Sequence, residues 1–394
     1  MNAPFPCRHA ESGRTWRDSG CKRHAAGEGE TRRRVRVRDC DGQGTSLPCS
    51  GETLAGAHVT SGLSVLAWGL PVDRLAAAIP PSCRRGVDAA GTAGTAVRVE
   101  GKDVILETPA WAVAGATHLV PSFSALTDAS YTLRLEVAAR VGGAWTPWIA
   151  GASLGPDAFE PLPSSAPLAV DIDVFRSPTP FEAVRVRARL RPAAAPDAIV
   201  AAPRMLSLSA SAAPPPSRRG LVAARGVQLA VPPLSQMEVD PALGRRICSP
   251  TCVAMVLDYW RRPAPALALA AEMFHAGTDL YGIWPAAIVA AGRHGVAGYL
   301  LRFPDWAAAT WCLEQGLPVI ASVRYAKGEL SGAAVAETPG HLLVLTGVDG
   351  DEVLVNDPAA ASAGGVARRY HADELARVWL ERTGIGYVLF PPDH

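Results

Sequence analysis

Four side chains in the second half of the chain could together perform thiol chemistry: Gln236, Cys248, His341 and Asp357. Acyl transfer through a thiol needs a thiolate nucleophile and a histidine that holds its proton and later gives it to the leaving amine. A third group must orient that histidine, and hydrogen-bond donors must stabilise the oxyanion. The four residue types match these needs, so the sequence predicts a cysteine nucleophile assisted by a histidine, a carboxylate and an amide.

The sequence around these residues indicates how they could meet. Cys248 lies just before a predicted helix, and the N–H groups at a helix N-terminus favour the thiolate form. His341 opens a predicted strand, and Asp357 ends the antiparallel strand that follows. A turn at Asp349-Gly350 joins the two strands, so His341 and Asp357 are expected close to cross-strand positions.

Other cysteines and histidines fit structural roles better. Cys252 falls on the apolar face inside the same predicted helix, which indicates a core position. His275, His294 and His371 lack a comparable strand that follows a glycine. The spacing of the eight cysteines matches no zinc or haem pattern, and their even number is weak evidence for disulfides. The sequence therefore predicts neither a metal site nor a cofactor.

Two domains are predicted along the 394 residues. Alternating apolar residues with glycine and proline turns, and no convincing long helix, predict an all-β sandwich in the first half. Its strands are expected around 97–106, 133–137, 170–174 and 184–190. After a proline-rich run the pattern becomes mixed, with helices expected over 252–260, 284–293, 306–315 and 373–380, and strands over 319–323, 341–348, 352–355 and 386–390. The predicted layout is a basic extension that is disordered or follows a mis-assigned start (1–50), a β-sandwich domain (51–210), a linker (211–224) and a mixed α and β domain (225–394).

Composition argues against two function classes. The 38 basic and 37 acidic residues give a formal charge of +1, whereas a dedicated nucleic-acid binder would usually carry a strongly basic domain. No apolar stretch approaches the roughly 18–20 residues of a membrane-spanning helix. The first residues carry no signal-peptide pattern.

The predicted sandwich has one basic face and two neighbouring tryptophans. Arginines alternate with apolar residues over 184–191, which predicts a solvated outer face. Trp145 and Trp148 are predicted to be core aromatics, and the alternative is that they stack on a sugar. A cell-surface polymer is accordingly a possible partner of this region.

The residues around the four candidate side chains resemble a known family, the papain-fold cysteine peptidases of the bacteriocin-processing type, peptidase family thirty-nine. The similarity spans roughly 225–392 and includes secreted-type bacterial members that lack a transporter. It is carried by Gln236, the run 247–251 at the predicted nucleophile, Trp284-Pro285, the run 316–320, the histidine motif 340–347 and the aspartate motif 355–358.

This resemblance implies a multi-domain protein in which an N-terminal all-β sandwich precedes a papain-like α+β cysteine peptidase domain. It implies that Cys248 is the nucleophile, His341 the general base and acid, and Asp357 the residue that orients His341. Gln236 and the Cys248 backbone N–H would form the oxyanion hole. Ser249 departs from the pattern, because many members have glycine at that position.

The resemblance also implies a peptide or protein substrate and an extracytoplasmic or secreted location, with the cytoplasm left open because no signal peptide is visible. Two other functions remain open for this sequence. The same fold could pass its acyl group to an amine, as a thiol acyltransferase or amidase does. The protein could also be a non-catalytic binding protein whose peptidase half is a degenerate scaffold.

Overall fold

The N-terminal part of the protein is built mainly from strands, and the computed structural model describes residues 61–87, 96–162, 167–212 and 226–394. The predicted extension (1–50) and most of the predicted linker lie outside the described residues. The strands are β1 Gly62–Trp68, β2 Arg84–Arg85, β3 Ala96–Glu100, β4 Asp103–Glu107, β5 Trp111–Ala112, β6 His118–Ala125, β7 Tyr131–Val141, β8 Ala144–Trp145, β9 Ile149–Leu154, β10 Ala169–Asp171, β11 Val174–Arg176, β12 Ala183–Pro192 and β13 Arg204–Ser211. Helices α1 Val72–Ala78 and α2 Asp197–Ala201 and a 3-10 turn at Pro81–Cys83 are short.

These strands form two sheets that share an apolar core. The first sheet has the order β10-β11-β6-β13-β1-β2. The second has the order β3-β4-β12-β7-β8, with β5 paired to β12 and β9 paired to β7. Phe123 and Leu208 of the first sheet belong to the same buried cluster as Leu133 and Val186 of the second. The sandwich and its boundaries at 51 and 210 stay predictions.

The basic face of β12 is paired with acids and aromatic rings. Fully buried Glu136 on β7 has a carboxylate oxygen 3.1 Å from the guanidinium of Arg187. The same guanidinium stacks 3.9 Å from the centre of the Trp148 ring. Arg185 stacks over Trp145, which is 39% exposed. The prediction that both tryptophans are core residues is wrong, because their rings cover arginine guanidinium groups instead. Polymer binding by this face stays a prediction.

Residues 170–174, predicted as one strand, form a tight hairpin instead. β10 and β11 pair Asp171 with Val174, which leaves Ile172 and Asp173 as the turn. Ile172 has a φ of 57°, a left-handed conformation that costs a β-branched residue roughly 1–3 kcal/mol. The alternation of apolar residues concealed this turn, although the aspartates at 171 and 173 are of a type that favours turns.

The C-terminal part alternates helices with the strands of a third sheet, so the described residues form a mixed α/β structure with three sheets. The third sheet has the order β15-β20-β16-β17-β18-β19, and β14 pairs with β17. Its elements are β14 Val227–Gln228, α3 Gln236–Val239, a 3-10 turn at Gly244–Arg246, α4 Cys248–Tyr259, α5 Ala266–Met273, α6 Trp284–Arg293, β15 Ala297–Arg302, α7 Trp306–Glu314, β16 Val319–Tyr325, β17 Thr338–Asp349, β18 Glu352–Asn356, a 3-10 turn at Ala363–Gly365, β19 Ala367–His371, α8 Ala372–Val378 and β20 Ile385–Phe390.

The four helices expected in this part are present, whereas α3 and α5 were not predicted, and the start of α4 differs most from the expectation. Helix α4 was predicted over 252–260 but begins at Cys248. Pro250 in its first turn is no obstacle, since the N–H groups there have no intrahelical partner. Asp305 caps α7 as expected, accepting the Ala308 N–H at 3.0 Å. Among the helices of the described residues, none combines the length and apolar character needed to cross a bilayer.

Both faces of the third sheet are buried. Ile320 and Leu342 pack with α4 and α6, whereas Ala321 and Leu343 pack with α7 and α8. Successive side chains of a strand point to opposite faces, so a sheet covered on both sides needs nearly continuous apolar strands. Each of the two clusters also contains residues of the N-terminal sheets.

Serines of the first sheet cover β15, the edge strand of the third sheet. The hydroxyl of Ser122 accepts the Leu300 N–H at 3.1 Å, and that of Ser209 accepts the Arg302 N–H at 2.9 Å. The hydroxyl of Ser61 donates to the Arg302 carbonyl. An edge strand otherwise exposes a row of unpaired backbone groups. The first sheet therefore provides hydrogen-bond partners for backbone groups at the open edge of the third sheet.

Candidate active site

A histidine and an aspartate in hydrogen-bond contact form the centre of the site. His341 Nε2 lies 2.8 Å from Asp357 Oδ1, and both residues are buried. His341 lies on β17, and Asp357 directly follows β18. Extending the β17–β18 register from the Val344–Asn356 pair puts Asp357 opposite Leu343, two residues from His341 on the same face. The hairpin thus brings the two side chains together as a diagonal pair.

A bulge in β17 sets this register. The pairing of β17 with β18 shifts by one residue between Leu345 and Gly347. A Cβ atom at Gly347 would lie 2.1 Å from the Val227 carbonyl oxygen on β14. Only glycine allows β14 to approach the bulge this closely.

The surroundings of Asp357 favour its ionised form. Burial by itself would raise the pKa of this carboxyl group, but the charge and hydrogen bond of His341 outweigh that effect. The Tyr370 hydroxyl donates to Oδ2 at 2.7 Å, and the Ala359 N–H donates to Oδ1 at 3.0 Å. Together these neighbours hold the pKa of Asp357 below its usual value. An ionised Asp357 can orient His341 and stabilise its protonated form.

Cys248 is the first residue of α4 and lines a small cavity together with His341. The cavity has a volume of about 40 Å³, and its walls also include Trp284, Ser322 and Gly340. Cys248 itself is 4% exposed. Its position at the start of a twelve-residue helix places the thiol beside N–H groups and a partial positive charge. The thiol and the imidazole therefore face one shared space.

Cys252 lies one helical turn further along α4 and has a different environment. It is fully buried, and its thiol donates to the Leu342 carbonyl at 3.3 Å. Burial, and to a lesser extent the charge of Asp357, raises the pKa of the Cys252 thiol well above its usual value. A thiol held neutral in this way is a poor nucleophile, in keeping with the core position expected from the sequence.

Gln236 is tied to the loop that follows Asp357. Its backbone N–H donates to the Pro358 carbonyl at 2.9 Å, and the Ser235 hydroxyl donates to the Ala360 carbonyl at 2.6 Å. The side chain is buried, and its Oε1 has no hydrogen-bond partner within the described residues. Gln236 does not belong to the described residues that line the cavity of Cys248 and His341.

The three other histidines considered in the sequence have partners away from the cavity. His275 contacts the Thr278 hydroxyl at 2.8 Å, His294 lies 3.2 Å from a Glu272 oxygen, and His371 lies 3.2 Å from an Asp351 oxygen. Within the described residues, no group of three or more His, Cys, Asp or Glu side chains could hold a metal ion.

Two residues of the site were missed by the sequence reasoning. Tyr370 on β19 completes the hydrogen bonds of Asp357, and Trp284 supplies a wall of the cavity. The Trp284-Pro285 pair had been singled out only for its resemblance to a family. No sequence signal marked Tyr370, because it reaches Asp357 only through the pairing of β19 with β18.

Comparison with known proteins places a family match on this part of the chain. Residues 228–387 match the model of the Peptidase_C39 like family. The matched residues are less than half of the 394 in the chain and include Cys248, His341 and Asp357. No curated protein matches the sequence.

Two solved structures are similar to a part of the chain. One is a double glycine motif protease from an AMS/PCAT transporter in complex with the leader peptide, at 20% identity over 43% of this chain and 99% of that chain, with a TM-score of 0.28. The other is the peptidase domain of Streptococcus ComA, a bifunctional ABC transporter involved in quorum sensing, at 17% identity over 37% of this chain and 93% of that chain, with a TM-score of 0.29.

Proposed function

We propose that the protein is a cysteine peptidase that hydrolyses peptide bonds through Cys248, His341 and Asp357 in a papain-like domain. The observation that carries the proposal is the 2.8 Å contact between His341 Nε2 and Asp357 Oδ1, beside a cavity that Cys248 also lines. The match of residues 228–387 to a peptidase family supports the same reaction class.

In this proposal each of the three residues has a part in the acylation step. Asp357 holds His341 through Nε2, so Nδ1 is the ring nitrogen that exchanges a proton with the Cys248 thiol. The thiolate sulfur attacks the carbonyl carbon of the substrate, and the C–N bond breaks as the imidazolium gives its proton to the leaving amine. A thioester on Cys248 and a free amine result.

Water then releases the acyl group. His341 accepts a proton from the attacking water, the C–S bond breaks, and Cys248 leaves as the thiolate beside the protonated imidazole. In both steps the carbonyl oxygen becomes an oxyanion, which the backbone N–H of Cys248 and the side-chain amide of Gln236 stabilise in this proposal. The part of Gln236 rests on the family resemblance, since Gln236 is not among the described residues that line the cavity of Cys248 and His341.

The test is cleavage of a peptide library by the intact protein, with the products read by mass spectrometry. Cys248→Ala is expected to lower kcat/KM by at least about a thousandfold, because the nucleophile is removed. The matched control is Cys252→Ala, on the same helix, which should keep cleavage in any sample that remains folded. Equal cleavage by wild type and Cys248→Ala at equal folded content would overturn the proposal.

An added amine separates hydrolysis from acyl transfer. Hydrolysis leaves a carboxylate on the acyl product even when hydroxylamine is present at low concentration. A transferase would instead give mainly the amine adduct. If Cys248 reacts with iodoacetamide no faster than an ordinary thiol and no peptide is cleaved, the protein is a binding scaffold and not an enzyme.

A further inference from the structure

The turn of the β10–β11 hairpin, in the N-terminal part, contacts the start of helix α6. Asp173 Oδ2 accepts the backbone N–H of Trp284, the first residue of α6, at 2.9 Å. The residue before the helix, Ile283, provides no side-chain cap. A carboxylate at this position satisfies an N–H group that the helix cannot pair and faces its positive end.

This contact leads directly to the candidate active site. Trp284 lines the cavity that holds Cys248 and His341. Residues before and after Asp173 line a second, smaller space against Ile283 and Pro285 at the same helix start. The position of α6, and with it one wall of the cavity, therefore depends on a residue more than a hundred positions earlier in the chain.

The same carboxylate lies near a second part of the site. Its charge contributes to raising the pKa of Tyr387 on β20, after the larger effect of burial. The Tyr387 hydroxyl lies 3.4 Å from the Ser249 hydroxyl, and Ser249 directly follows Cys248. Asp173 thus contacts the residue that forms a wall of the cavity, and its charge acts on a tyrosine whose hydroxyl lies near the first turn of α4.

The backbone of the hairpin is strained where it presents Asp173. Ile172 has a φ of 57°, which β-branched residues rarely adopt. The Ile172 carbonyl accepts the Ala152 N–H at 3.0 Å, and the Asp173 N–H donates to the Asp171 carbonyl at 2.7 Å. These bonds fix the turn with Asp173 directed at α6. Strained residues that the surroundings hold in place concentrate at functional sites.

We propose that Asp173 is a positioning residue for the Cys248 site, and that the β10–β11 hairpin is thereby a working part of the peptidase. The inference rests on the proposed function for its effect on cleavage. It also predicts an effect on the reactivity of the Cys248 thiol, which can be measured without any substrate.

The charge of Asp173 gives the inference a pH dependence. Burial raises the pKa of this carboxyl group to about 7, although the residue as a whole keeps some exposed surface. Besides Tyr387 on β20, the charged groups around it belong to its own hairpin: Asp171 raises the pKa and Arg176 lowers it. As the pH falls through about 7, Asp173 takes up a proton, and its bond to Trp284 loses the strengthening of a charged acceptor.

The raised pKa also predicts that the ionised form of Asp173 does not stabilise the fold. The pKa of Asp173 is higher in the folded state than in the unfolded state, where it is near 3.8. Such a carboxyl group contributes its full stabilisation of the fold at a pH below the unfolded-state pKa. That contribution is lost as the pH rises toward 7. Asp173→Asn should therefore leave the melting temperature at pH 8 unchanged or higher.

The experiment compares Asp173→Asn with Asp171→Asn in the full chain. Asp171 lies in the same turn but is exposed and paired with Arg176 at 2.7 Å, which makes it the matched control. For each variant the rate of Cys248 alkylation by iodoacetamide, kcat and KM are measured from pH 5.5 to 8.5. Asp173→Asn is expected to raise KM by roughly tenfold. It should also reduce the change of the alkylation rate and of kcat between pH 6 and 8. Asp171→Asn should keep the wild-type KM, and it should keep the pH-dependent change but shift it to lower pH, because the charge of Asp171 raises the pKa of Asp173.

A second pair of variants covers a loss of folding. Asp173→Glu keeps the charge and should restore part of the wild-type pH profile. Ile172→Gly removes the backbone strain and also the side chain that holds the turn, and it should raise KM while leaving the charge of Asp173 in place.

Unchanged KM and an unchanged pH profile in Asp173→Asn would overturn the inference, as would equal effects of Asp171→Asn. If wild type cleaves no peptide but Cys248 alkylation still responds to Asp173, the proposed function fails and the positioning role stands.

Discussion

At the scale of single residues, Asp357 shows how a buried carboxylate is kept charged. Three donors reach it: the imidazole of His341, the Tyr370 hydroxyl and the Ala359 N–H. Each hydrogen bond to an ionised group is stronger than one between neutral groups. The orientation of His341 therefore depends on residues from three segments of the chain.

Removing the tyrosine hydroxyl should weaken this arrangement. Tyr370→Phe is expected to raise the pKa of Asp357 toward its ordinary value and to lower kcat/KM by roughly tenfold, the effect of about 1.4 kcal/mol. A carboxylate with a lowered pKa stabilises the fold above its unfolded pKa and loses that effect as the pH falls through its folded pKa. Thermal unfolding between pH 3 and 7 should therefore show acid destabilisation beginning at a higher pH in the variant.

The control for this prediction is Tyr259→Phe. The Tyr259 hydroxyl donates to the Gly316 carbonyl at 3.0 Å and has no contact with Asp357. If acid destabilisation begins at the same higher pH in both variants, Tyr370 does not act through Asp357.

A second residue-scale prediction concerns Gln236. If its amide stabilises the oxyanion, Gln236→Ala should lower kcat by about a hundredfold with little change in KM, as for other oxyanion donors. Steady-state kinetics on a cleaved peptide measure this split. Gln315→Ala, an exposed glutamine at the end of α7, is the control. A change in KM alone would assign Gln236 to substrate binding.

The sequence indicated the candidate catalytic residues better than the residues that position them. Cys248, His341 and Asp357 could be selected because their residue types, motifs and hairpin spacing are local properties. Tyr370 and Asp173 could not, because each acts through a contact across strands or sheets that only the tertiary fold creates.

At the scale of elements, α6 lies against strand β6 with almost no space between them. A Cβ atom at Gly292 would lie 2.5 Å from the Ala125 carbonyl oxygen. The first residue of this helix forms a wall of the cavity, so its position matters for the site. Helix α6 could be predicted from its Pro start and glycine-containing end, but its close approach to β6 could not.

Gly292→Ala should push α6 away from β6. Forcing one extra carbon into a packed interface typically costs about 1–3 kcal/mol, which denaturant unfolding can measure. Peptide cleavage should fall as well, because Trp284 moves with the helix. Gly364→Ala, where a Cβ would meet nothing within 4 Å, should change neither property. A Gly292→Ala variant as stable as wild type would contradict this account of the helix contact.

Local pattern also failed at two element boundaries for physical reasons. Helix α4 begins at Cys248 because a first helical turn tolerates Pro250, so proline did not mark the true start. The β10–β11 turn is formed by Ile172 and Asp173. The aspartates at 171 and 173 favour a turn, but the alternation of apolar Val170, Ile172 and Val174 favoured one continuous strand.

At the scale of the whole molecule, the N-terminal sheets and the third sheet share buried clusters. Leu208 and Leu342 belong to one cluster, and Leu63 and Leu343 to the other. Serines of β6 and β13 also provide hydrogen-bond partners for the edge strand β15. The sequence predicted two regions with different patterns from alternation and a proline-rich run. It could not predict this contact, because serines on a strand normally read as a solvated face.

Removing the two serine hydroxyls should destabilise the protein. Ser122→Ala and Ser209→Ala each leave a buried N–H of β15 without its partner, at a cost of about 1–3 kcal/mol. Ser124→Ala is the matched control on the same face of β6, since its buried hydroxyl has no hydrogen-bond partner within the described residues. Melting temperatures of the three variants test this. A loss of stability in Ser124→Ala equal to that in Ser122→Ala would show that the hydroxyls are not specific caps.

The thiols of the described residues differ in a way that has a practical consequence. Burial raises the pKa of Cys83 to about 11 and those of Cys252 and Cys312 well above their usual value. Cys248 starts a helix and lines a cavity. Thiol-directed reagents react with thiolates. Among these four cysteines, a dye or affinity label should therefore react with Cys248. The fold thereby provides a natural attachment point from which the arrival of a ligand could be followed in real time.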